Sequence, residues 1–597
     1  WPDFEEAAEV ELSTLEDNKT WELVDEHVAM NEGAYVYDTR WVFTRKRPNV
    51  NERTADGDVP KGKAKGRLVF RGDQQNFDDF DDDDFFDDAF DEYGVIPEGD
   101  PEVGASTGAS AAAHVAAQDA CTDAAGATMG SKCLNVFSLL ASSFGCMSRS
   151  VQNTYRQLFS PVMASTVMFI LLAVACANSE SIFIADVKGA FLYAFLLPDE
   201  VVYCRPPKGY ENHPKFRGKI MRLRKALYGL KQAPRRWFDH LVSVFAKHGM
   251  MRTAIDPCLF IMIAGSLIVK AGTHVDDFIF TTNDPESFMQ WFDEVSKEVK
   301  ISSSSAVTEE SVDYMSLIIT YTMARGFLII SQRAYIEKAL KVFGFENLKS
   351  SETPFAVGVK FTSDDMPTEV DETRKNTFLR MIGVARWVTR NACPEATFAV
   401  AYLSCFMASP SKGMMTALVR VFRYFKWALE QDVDAVRFDM RGNNAVPPGF
   451  DVKIGRNQVY GYVDATFLSE ERAECRYGAA FFINGMLICV ICKKLPDPVL
   501  SSTEAEYHAL VISTCEGKFI RMVLESLNEP QTGSMFLGQD NKSCIAIVEN
   551  AGQHRGRTKH FEAKIRWIER AHSDKSISLV YVKTSLMVAD IFTKALA

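Results

Sequence analysis

The chain has 597 residues, which is more than one hydrophobic core usually holds, so several domains are expected. Its 47% apolar and 24% charged residues exclude a mostly disordered, collagen-like or coiled-coil protein. The net charge of -12 argues against a polyanionic partner only on average, because the charge is segregated. Residues 73–92 hold about 11 acidic and no basic residues, whereas 201–252 hold about 13 basic and two acidic ones. The second stretch is typical of a surface that binds polyanions.

The start of the chain and its cysteines indicate the compartment. Residues 1–10 are acidic and lack an apolar stretch, so no secretory signal is expected, and Trp1 in place of Met suggests a fragment of a longer product. The 13 scattered cysteines favour free thiols in a reducing compartment. Cys489 and Cys492 lie in an apolar run without a second pair at zinc spacing, so we interpret them as strand residues. The apolar run 167–177 is too short to span a bilayer, and no membrane partner is expected.

In the first half of the chain, the pattern predicts three kinds of segment. Residues 1–76 mix a helical stretch with short strand-like runs. Residues 77–153 begin as Asp/Phe low complexity and become rich in Ala, Gly and Ser, which predicts a disordered insertion. In 154–283, apolar helices alternate with short strands: the helices over 166–177 and 237–248, and the strands over 182–186, 266–270 and 273–280, the last two flanking a short turn.

The second half predicts a helix-rich region followed by an α/β domain. Residues 284–440 show their clearest helices over 333–343 and 412–429. A Pro- and Gly-containing linker over 443–449 then separates them from 451–597. In this last domain the strands come first, over 459–463 and 479–492, and helices follow.

Three acids in the middle of the chain form the first candidate site. Asp186 ends an apolar strand, and Asp276 and Asp277 lie between two apolar strands. A single acid at a strand end is most often a solvated turn residue, but burying adjacent unpaired charges is costly unless a cation compensates them. Since successive strand side chains face opposite sides, both can reach one metal only if a hairpin turn brings them together. If only one faces Asp186, we expect it to be Asp276. This pattern favours phosphoryl transfer assisted by two Mg²⁺ ions.

Between these acids lies a basic stretch that could neutralise nucleic acid and triphosphate charge. The alternative is a solvated basic face. The candidate nucleic-acid contacts are Arg222, Arg224, Lys225, Lys231, Arg235 and Arg236.

Four further acids near the C-terminus form the second candidate site. Asp464 lies on a predicted strand, Glu506 in a predicted helix, Asp540 after a strand and Asp590 near the end. Each also has a structural interpretation: Thr503 and Glu506 match a capping box, and Asp540 and Asp590 could be helix N-caps.

The string Leu227-Tyr-Gly-Leu-Lys-Gln-Ala-Pro-Arg235, with Asp186-Val-Lys-Gly-Ala-Phe191 before it and Val275-Asp-Asp277 after it, resembles the reverse transcriptase of copia-type LTR retrotransposon Pol polyproteins. The C-terminal acids, with Ser501-Ser-Thr-Glu-Ala-Glu-Tyr507, resemble the RNase H of the same polyproteins. The resemblance implies a multidomain α+β and α/β fold. A right-hand polymerase would have its fingers begin in 1–76, its fingers and palm in 154–283 and its thumb and connection in 284–440. An RNase H-like α/β domain would follow over 451–597.

The resemblance also implies roles for individual residues. In each site the acids would hold two Mg²⁺ (or Mn²⁺) ions: Asp186, Asp276 and Asp277 in the polymerase, and Asp464, Glu506, Asp540 and Asp590 in the nuclease. Glu504 is the alternative to Glu506. The incoming nucleotide would contact Lys65, Arg67, Phe191, Tyr228 and Gly229, with Phe191 excluding a ribose 2′-hydroxyl.

The function implied is an RNA-directed DNA polymerase with RNase H activity. Its partners would be an RNA template, a DNA primer, dNTPs and the RNA–DNA hybrid, in the cytoplasm or virus-like particles with possible nuclear entry. Three features favour alternatives: His274 where the family has a tyrosine, the altered helix near Met168, and the insertion. The alternatives are a decayed or domesticated copy that binds nucleic acid without polymerising, a nuclease with an inactive polymerase, and a genomic relic without a stable protein.

Overall fold

A computed structural model describes residues 2–32, 34–45, 64–71, 160–198, 200–302, 305–439, 446–467, 475–495, 499–550 and 562–595. The predicted disordered insertion, 77–153, lies outside these residues. In the described part, no helix is long and apolar enough to cross a membrane. The ten cysteines in this part are all free, as predicted.

The N-terminal region forms two small sheets. One has four strands in the order β1-β7-β6-β2, and the other pairs β3 with β4 in antiparallel fashion. Helix α1 packs against β4. The elements are α1 (Pro2–Asp17), β1 (Trp21–Asp25), α2 (Glu26–Asn31), β2 (Val36–Tyr37), β3 (Thr39–Arg45), β4 (Ala64–Phe70), β6 (Tyr203–Cys204) and β7 (Lys219–Leu223).

A six-stranded antiparallel sheet in the order β12-β5-β11-β10-β9-β8 follows. Its elements are β5 (Ser181–Asp186), α4 (Ala233–Lys247), β8 (Met251–Arg252), β9 (Leu259–Ala264), β10 (Leu267–His274), β11 (Asp277–Thr282), α5 (Pro285–Ser296) and β12 (Ser305–Ala306).

The turn predicted at residues 271–272 is wrong. Strand β10 continues to His274, and the turn is formed by Val275 and Asp276. Gly272 lies inside the strand, where an added Cβ would stand 2.4 Å from the sulfur of Met163. The glycine therefore permits close packing on Met163 rather than a turn.

Helix α3 (Ser165–Asn178) confirms the predicted buried helix and is buried from Val167 to Ala177. It is apolar on every side because it contacts β5, β10 and β11 of the six-stranded sheet and also the C-terminal domain. One continuous apolar core thus extends from this sheet into the C-terminal domain.

The region 284–440 contains the predicted helices and, in addition, a four-stranded antiparallel sheet that the sequence analysis did not predict. The elements are β13 (Val312–Tyr314), β14 (Leu317–Thr322), β15 (Phe327–Ser331), α6 (Arg333–Val342), α7 (Glu372–Asn391), α8 (Thr397–Leu403), α9 (Lys412–Glu430) and β16 (Ala435–Asp439).

The C-terminal domain contains a five-stranded sheet in the order β19-β18-β17-β20-β21, with β17, β20 and β21 parallel. The elements are β17 (Val459–Thr466), β18 (Arg476–Ile483), β19 (Met486–Lys494), α10 (Ser502–Ser526), β20 (Met535–Gln539), α11 (Lys542–Glu549), α12 (Glu562–Ser573) and β21 (Ile577–Tyr581). The single strand predicted over 479–492 is wrong, because Asn484 (φ 53°) and Gly485 (φ 84°) form a turn between β18 and β19. Cys489 and Cys492 lie on β19, as predicted.

Candidate active sites

The first acid cluster lies at one edge of the six-stranded sheet. Asp186 ends β5, Asp276 lies in the β10–β11 turn and Asp277 begins β11. The Cα atoms of Asp277 and Asp186 are register partners. Since directly opposed residues of an antiparallel pair point to the same face, these two carboxylates lie on one side of the sheet. The register therefore places Asp277 opposite Asp186, where Asp276 was expected.

The turn that carries Asp276 is held by contacts from two neighbouring segments. The indole Nε1 of Trp237, on α4, donates to the carbonyl of Val275 at 2.7 Å, and the backbone N–H of Val187 donates to the carbonyl of Asp276 at 2.9 Å. Val275 adopts φ 59°, a left-handed conformation that is costly for a β-branched residue. Trp237 could not be predicted as a supporting residue, because a core tryptophan on a helix carries no sequence signal of such a contact.

The carboxylates of this cluster repel one another. Burial, then Asp276 and Asp186, raises the pKa of Asp277 to about 7. Burial and then Asp186 also raise the pKa of Asp276, whereas Arg67 and Lys65 lower it. The two basic residues predicted to contact triphosphate thus act electrostatically on Asp276. A bound cation would relieve the repulsion among the three acids.

An aromatic pair lies beside these acids. The rings of Phe191 and Tyr228 meet edge to face with centroids 5.1 Å apart, and the guanidinium of Arg67 lies 4.9 Å from the centre of the Tyr228 ring. Asp276 and Asp186 are among the charges that raise the pKa of Tyr228. Three of the five predicted nucleotide contacts, Lys65, Arg67 and Tyr228, therefore lie close enough to the acids to interact with them electrostatically, and Phe191 packs on Tyr228.

Gly229, the fifth, is constrained by backbone packing. Its φ is 89°, and an added Cβ would stand 2.1 Å from the carbonyl oxygen of Phe70 on β4. The N–H of Phe70 donates to the carbonyl of Tyr228 at 2.7 Å. The glycine thus allows β4, which carries Lys65 and Arg67, to lie against the loop that carries Tyr228.

The predicted basic patch is partly neutralised by acids, most of which come from other segments. Arg222 and Arg224 both form ion pairs with Glu22 on β1, Arg235 pairs with Asp239 at 3.0 Å, and Arg236 pairs with Glu200 at 3.0 Å. The Lys225 ammonium lies 5.0 Å from the centre of the Phe195 ring, while Lys231 lies next to Leu230 before α4. The high charge counted along the sequence therefore overstates the charge of the folded surface. Contacts of these residues with nucleic acid stay a prediction.

The second cluster gathers acids from three elements of the C-terminal domain. Asp464 lies on β17, Glu506 on α10, and Asp540 directly after β20. One carboxylate oxygen from each lies within 4.8 Å of the other two. The parallel pairing of β17 with β20 aligns Asp464 with Asp540, and α10 packs across β17. Among the described residues, no other group of three potential metal ligands has its ligand atoms within 4.8 Å of one another. The carboxylate oxygens of the first cluster are therefore farther apart.

Asp590 lies at the margin of the second cluster, in a short 3₁₀ helix (Val588–Phe592). It raises the pKa of Asp464. Its Oδ2 forms an ion pair with the Lys594 ammonium at 2.8 Å, and its Oδ1 is buried without a hydrogen bond. The Thr593 hydroxyl donates to Asp464. Neither Thr593 nor Lys594 was predicted from the sequence, although their places three and four residues after Asp590 put them close to it on a helical turn.

The structure corrects three capping assignments. Ser501, not Thr503, accepts from the backbone at the start of α10, from the N–H of Glu504 at 3.2 Å. The Glu504 carboxylate in turn accepts from the N–H of Leu500, whereas Glu506 faces Asp464 and Asp540. Asn541, not Asp540, is the N-cap of α11. Asp590 lies inside its short helix rather than at its N-cap.

Burial and mutual repulsion also perturb this site. The pKa of Glu506 is raised to about 9 by burial, then by Asp464 and Asp540. The pKa of Asp464 is raised to about 6, mainly by burial, against the hydrogen bond from Thr593. The ligand set consists of carboxylate oxygens, which Mg²⁺ and Mn²⁺ prefer, and Asp590 Oδ1 has no hydrogen-bond partner. The residues therefore fit a divalent cation.

Residues 143–357 match the family described as reverse transcriptase (RNA-dependent DNA polymerase). This part of the chain is therefore similar to reverse transcriptases. It is related to copia-type Pol polyproteins, and the resemblance inferred from the sequence motifs is confirmed.

Three relatives illustrate this relationship. The "Retrovirus-related Pol polyprotein from transposon RE1" of Arabidopsis thaliana is 28% identical over 446 residues, covering 74% of this chain and 28% of the relative. The corresponding polyprotein of transposon TNT 1-94 from Nicotiana tabacum is 26% identical, covering 74% and 32%. The truncated transposon Ty1-A Gag-Pol polyprotein of Saccharomyces cerevisiae is 23% identical, covering 71% and 34%. The chain spans about a third of the length of these relatives.

Two solved structures are similar to parts of the chain. A foamy viral protease–reverse transcriptase in complex with double-stranded DNA has a TM-score of 0.38 at 10% identity, covering 71% of this chain and 61% of that chain. LC11-RNase H1 in complex with an RNA/DNA hybrid has a TM-score of 0.18 at 11% identity, covering 22% and 91%.

Proposed function

We propose that this chain is an RNA-directed DNA polymerase with a C-terminal RNase H activity. It would extend a DNA primer on an RNA template with dNTPs and then cleave the RNA strand of the hybrid. The observation that carries the proposal is the presence of two separate carboxylate clusters, one at an edge of the six-stranded sheet in the reverse transcriptase segment and one in the C-terminal sheet. Two acid clusters on different sheets fit two phosphoryl-transfer reactions better than one.

In the polymerase site, Asp186, Asp276 and Asp277 would hold two Mg²⁺ (or Mn²⁺) ions. When bound, such ions lower the barrier to phosphoryl transfer by stabilising charge on the attacking and leaving oxygens. Lys65 and Arg67 already act on Asp276, so they are placed to neutralise a triphosphate bound beside the acids. Phe191 and Tyr228 would present their aromatic pair to the nucleotide, with Phe191 excluding a ribose 2′-hydroxyl.

In the nuclease site, Asp464, Glu506 and Asp540 would form the main ligand set for the ions, with Asp590 completing it. Thr593 orients Asp464 by its hydrogen bond, and Lys594 offsets the charge of Asp590. Both residues would help to hold four acids together before the cations arrive. Asp464 lies on β17 and Asp540 directly after β20, so the parallel pairing of these two strands sets the spacing of the two carboxylates.

The finer architecture belongs to the same proposal. The six-stranded sheet would be the palm, β3 and β4 would be part of the fingers, and the region 284–440 would be thumb and connection. The five-stranded C-terminal domain would have the RNase H-like fold. Cytoplasmic or particle-bound localisation, with entry into the nucleus, accords with these activities.

Primer extension on poly(rA)/oligo(dT) with Mg²⁺ tests the polymerase. Asp276→Asn should abolish extension, because it removes a charge from the acid cluster while keeping the shape of the side chain. Asp293→Asn is the matched control, since Asp293 is exposed on α5 and should leave extension unchanged.

The outcomes separate the proposal from its alternatives. Extension by the wild type that Asp276→Asn abolishes supports the polymerase. A folded wild type that binds the hybrid without extending the primer contradicts it and favours a decayed copy. Cleavage of labelled RNA in the same hybrid then shows whether the nuclease alone is active.

A further inference from the structure

A polar cluster with a buried centre and one exposed member, Arg456, joins the reverse transcriptase segment to the C-terminal domain. We call it the interdomain joint. Its members on the side of the six-stranded sheet are Asn178, Glu180, Lys270 and Thr281, and its members on the C-terminal side are Arg456, Asn457 and Glu529.

Lys270 is the centre of this joint. It lies on β10, and its side chain is only 1% exposed. Its ammonium contacts Glu180 Oε1 at 2.6 Å and Glu529 Oε1 at 3.2 Å. Glu180 directly precedes β5, whereas Glu529 follows α10 in the C-terminal domain. One buried cation thus pairs with a carboxylate from each side.

Two asparagines complete the hydrogen bonds across the boundary. The Asn178 amide, at the end of α3, donates to Glu529 Oε1 at 2.6 Å and to Glu180 Oε1 at 3.1 Å. The Asn457 amide donates to Glu529 Oε2 at 2.8 Å and to Asn178 Oδ1 at 3.2 Å. Arg456 also donates to Asn178 Oδ1, at 2.8 Å.

Beside the interdomain joint, the two domains also meet through an apolar contact. Helix α3 packs its apolar surface against both β19 and α10 of the C-terminal domain. Apolar contact is non-directional, so it holds two domains together but tolerates small sliding. Buried ion pairs and hydrogen bonds require defined directions, and a shift of one side would leave buried charge unpaired. The joint therefore selects one relative position of the two domains.

We infer that the interdomain joint fixes the distance between the two carboxylate sites, so that RNA is cut at a set distance behind the primer terminus. Lys270 and Glu529 are positioning residues in this scheme, since neither belongs to an acid cluster. The inference rests on the proposed function, because it concerns a hybrid held by both sites. It goes beyond that function in assigning the spacing of the two reactions to named contacts.

The cleavage register measures this spacing. End-labelled RNA annealed to a DNA primer with a fixed 3′ end should give one dominant cut with the full wild-type chain. Lys270→Met should lose the dominant cut in favour of a spread of neighbouring products, because Glu180 and Glu529 then face each other without a cation. Glu529→Gln, which keeps the shape of the side chain, should show a smaller spread. Lys297→Met is the matched control, since Lys297 pairs with Glu294 in an exposed position and should keep the dominant cut.

A double variant separates repulsion from simple damage. Lys270→Met combined with Glu529→Gln removes the cation and one of the two facing acids. Its cleavage positions should therefore spread over fewer nucleotides than those of Lys270→Met alone. A purely destabilising effect would instead make the double variant worse than the single one. Folded Glu529→Gln and Lys270→Met proteins that keep the wild-type cut pattern would overturn the inference.

Hydrogen–deuterium exchange gives a readout that needs no activity. In Lys270→Met, exchange should rise on both sides of the joint, near 178–181 and near 527–531, while the same segments stay protected in Lys297→Met. If the wild type neither extends nor cleaves, the proposed function fails, and this measurement still decides whether the joint holds the two domains. Unchanged exchange near 527–531 in Lys270→Met would overturn the inference that the joint holds the two domains together.

Discussion

Asp277 lies directly opposite Asp186 across strands β11 and β5, although the two residues are far apart in sequence. Asp276, in the adjoining turn, adds a third carboxylate to the same cluster. The sheet therefore concentrates negative charge at one edge at the expense of stability. Such a cost is expected at a site built for cations rather than at a structural turn.

The pH dependence of stability should report this cost. The pKa of Asp277 is raised to about 7 in the folded protein, above its value of about 4 in the unfolded chain. The folded state then binds the proton of Asp277 more tightly than the unfolded chain does. Protonation therefore stabilises the folded state fully below about pH 4, and this stabilisation is lost as the pH rises through about 7. In EDTA, the urea concentration at the unfolding midpoint should decrease as the pH is raised from 5 to 8. Asp277→Asn should make this decrease smaller.

The control for this measurement is Asp293→Asn, which changes an exposed carboxylate on α5 and should keep the wild-type pH dependence. Added Mg²⁺ should stabilise the wild type more at pH 8 than at pH 5, because cation and proton compete for the same oxygens. An Asp277→Asn protein with the full wild-type slope would show that Asp277 does not carry the effect.

The close approach of β4 to the Tyr228 loop can be tested with two glycines. Both Gly229 and Gly209 have positive φ, 89° and 94°, but only at Gly229 would a Cβ meet backbone, at 2.1 Å from the Phe70 oxygen. Gly209→Ala should cost about 1–2 kcal/mol of unfolding free energy from backbone strain alone. Gly229→Ala should cost at least about 3 kcal/mol, because β4 must also move.

Urea unfolding measures both values, and the difference between the variants isolates the steric term. Equal losses would mean that β4 does not lie so close to the loop. A folded Gly229→Ala protein should also extend primers poorly, since β4 carries Lys65 and Arg67.

Local sequence patterns predicted the elements whose burial is local. The uninterrupted apolar run of α3 and the acid-terminated strand β5 are examples. The sheet β13–β16 was missed because β16 pairs with β15 across a long helical segment, and such pairing leaves no local signal. The turn was misplaced because nothing next to Gly272 in the sequence reveals Met163 packed against it.

Long-range contacts also limited the prediction of the two sites. Motifs indicated the acids, but not the neighbours that set their charge. Glu22 cancels part of the basic patch from a strand some 200 residues away, an ion pair that pattern alone cannot show. Lys270 lies in an apolar strand, where only the structure shows that two carboxylates meet it.

Removing Glu22 should therefore strengthen nucleic-acid binding. Glu22 pairs with both Arg222 and Arg224, so Glu22→Gln releases two cations for phosphate contacts. If these arginines face the hybrid, affinity should rise and the slope of log K against log salt should steepen by about 2, or about 0.9 for each new phosphate contact. Fluorescence anisotropy of a labelled hybrid over a salt series measures both.

Glu294→Gln makes the same change in net charge on exposed α5, where Glu294 pairs with Lys297, and should alter neither quantity beyond a small general shift. Identical slopes for Glu22→Gln and Glu294→Gln would remove Arg222 and Arg224 from the nucleic-acid surface.

Two glutamates in the first turns of α10, Glu504 and Glu506, provide the sharpest test of the second cluster. Glu506 lies within 4.8 Å of Asp464 and Asp540, and its pKa is raised to about 9, so in the cation-free protein it is protonated at pH 7.5. Binding of Mn²⁺ there should release a proton, because a carboxylate must be ionised to bind the ion.

Calorimetric titration in two buffers of different ionisation enthalpy measures this release. Glu506→Gln should remove most of the proton release, leaving the smaller contribution of Asp277, and should weaken binding. Glu504→Gln changes a buried glutamate of the same helix that accepts from the Leu500 N–H, so it should lower stability but keep the proton release. Proton release lost in Glu504→Gln and kept in Glu506→Gln would reverse the assignment of the ligand.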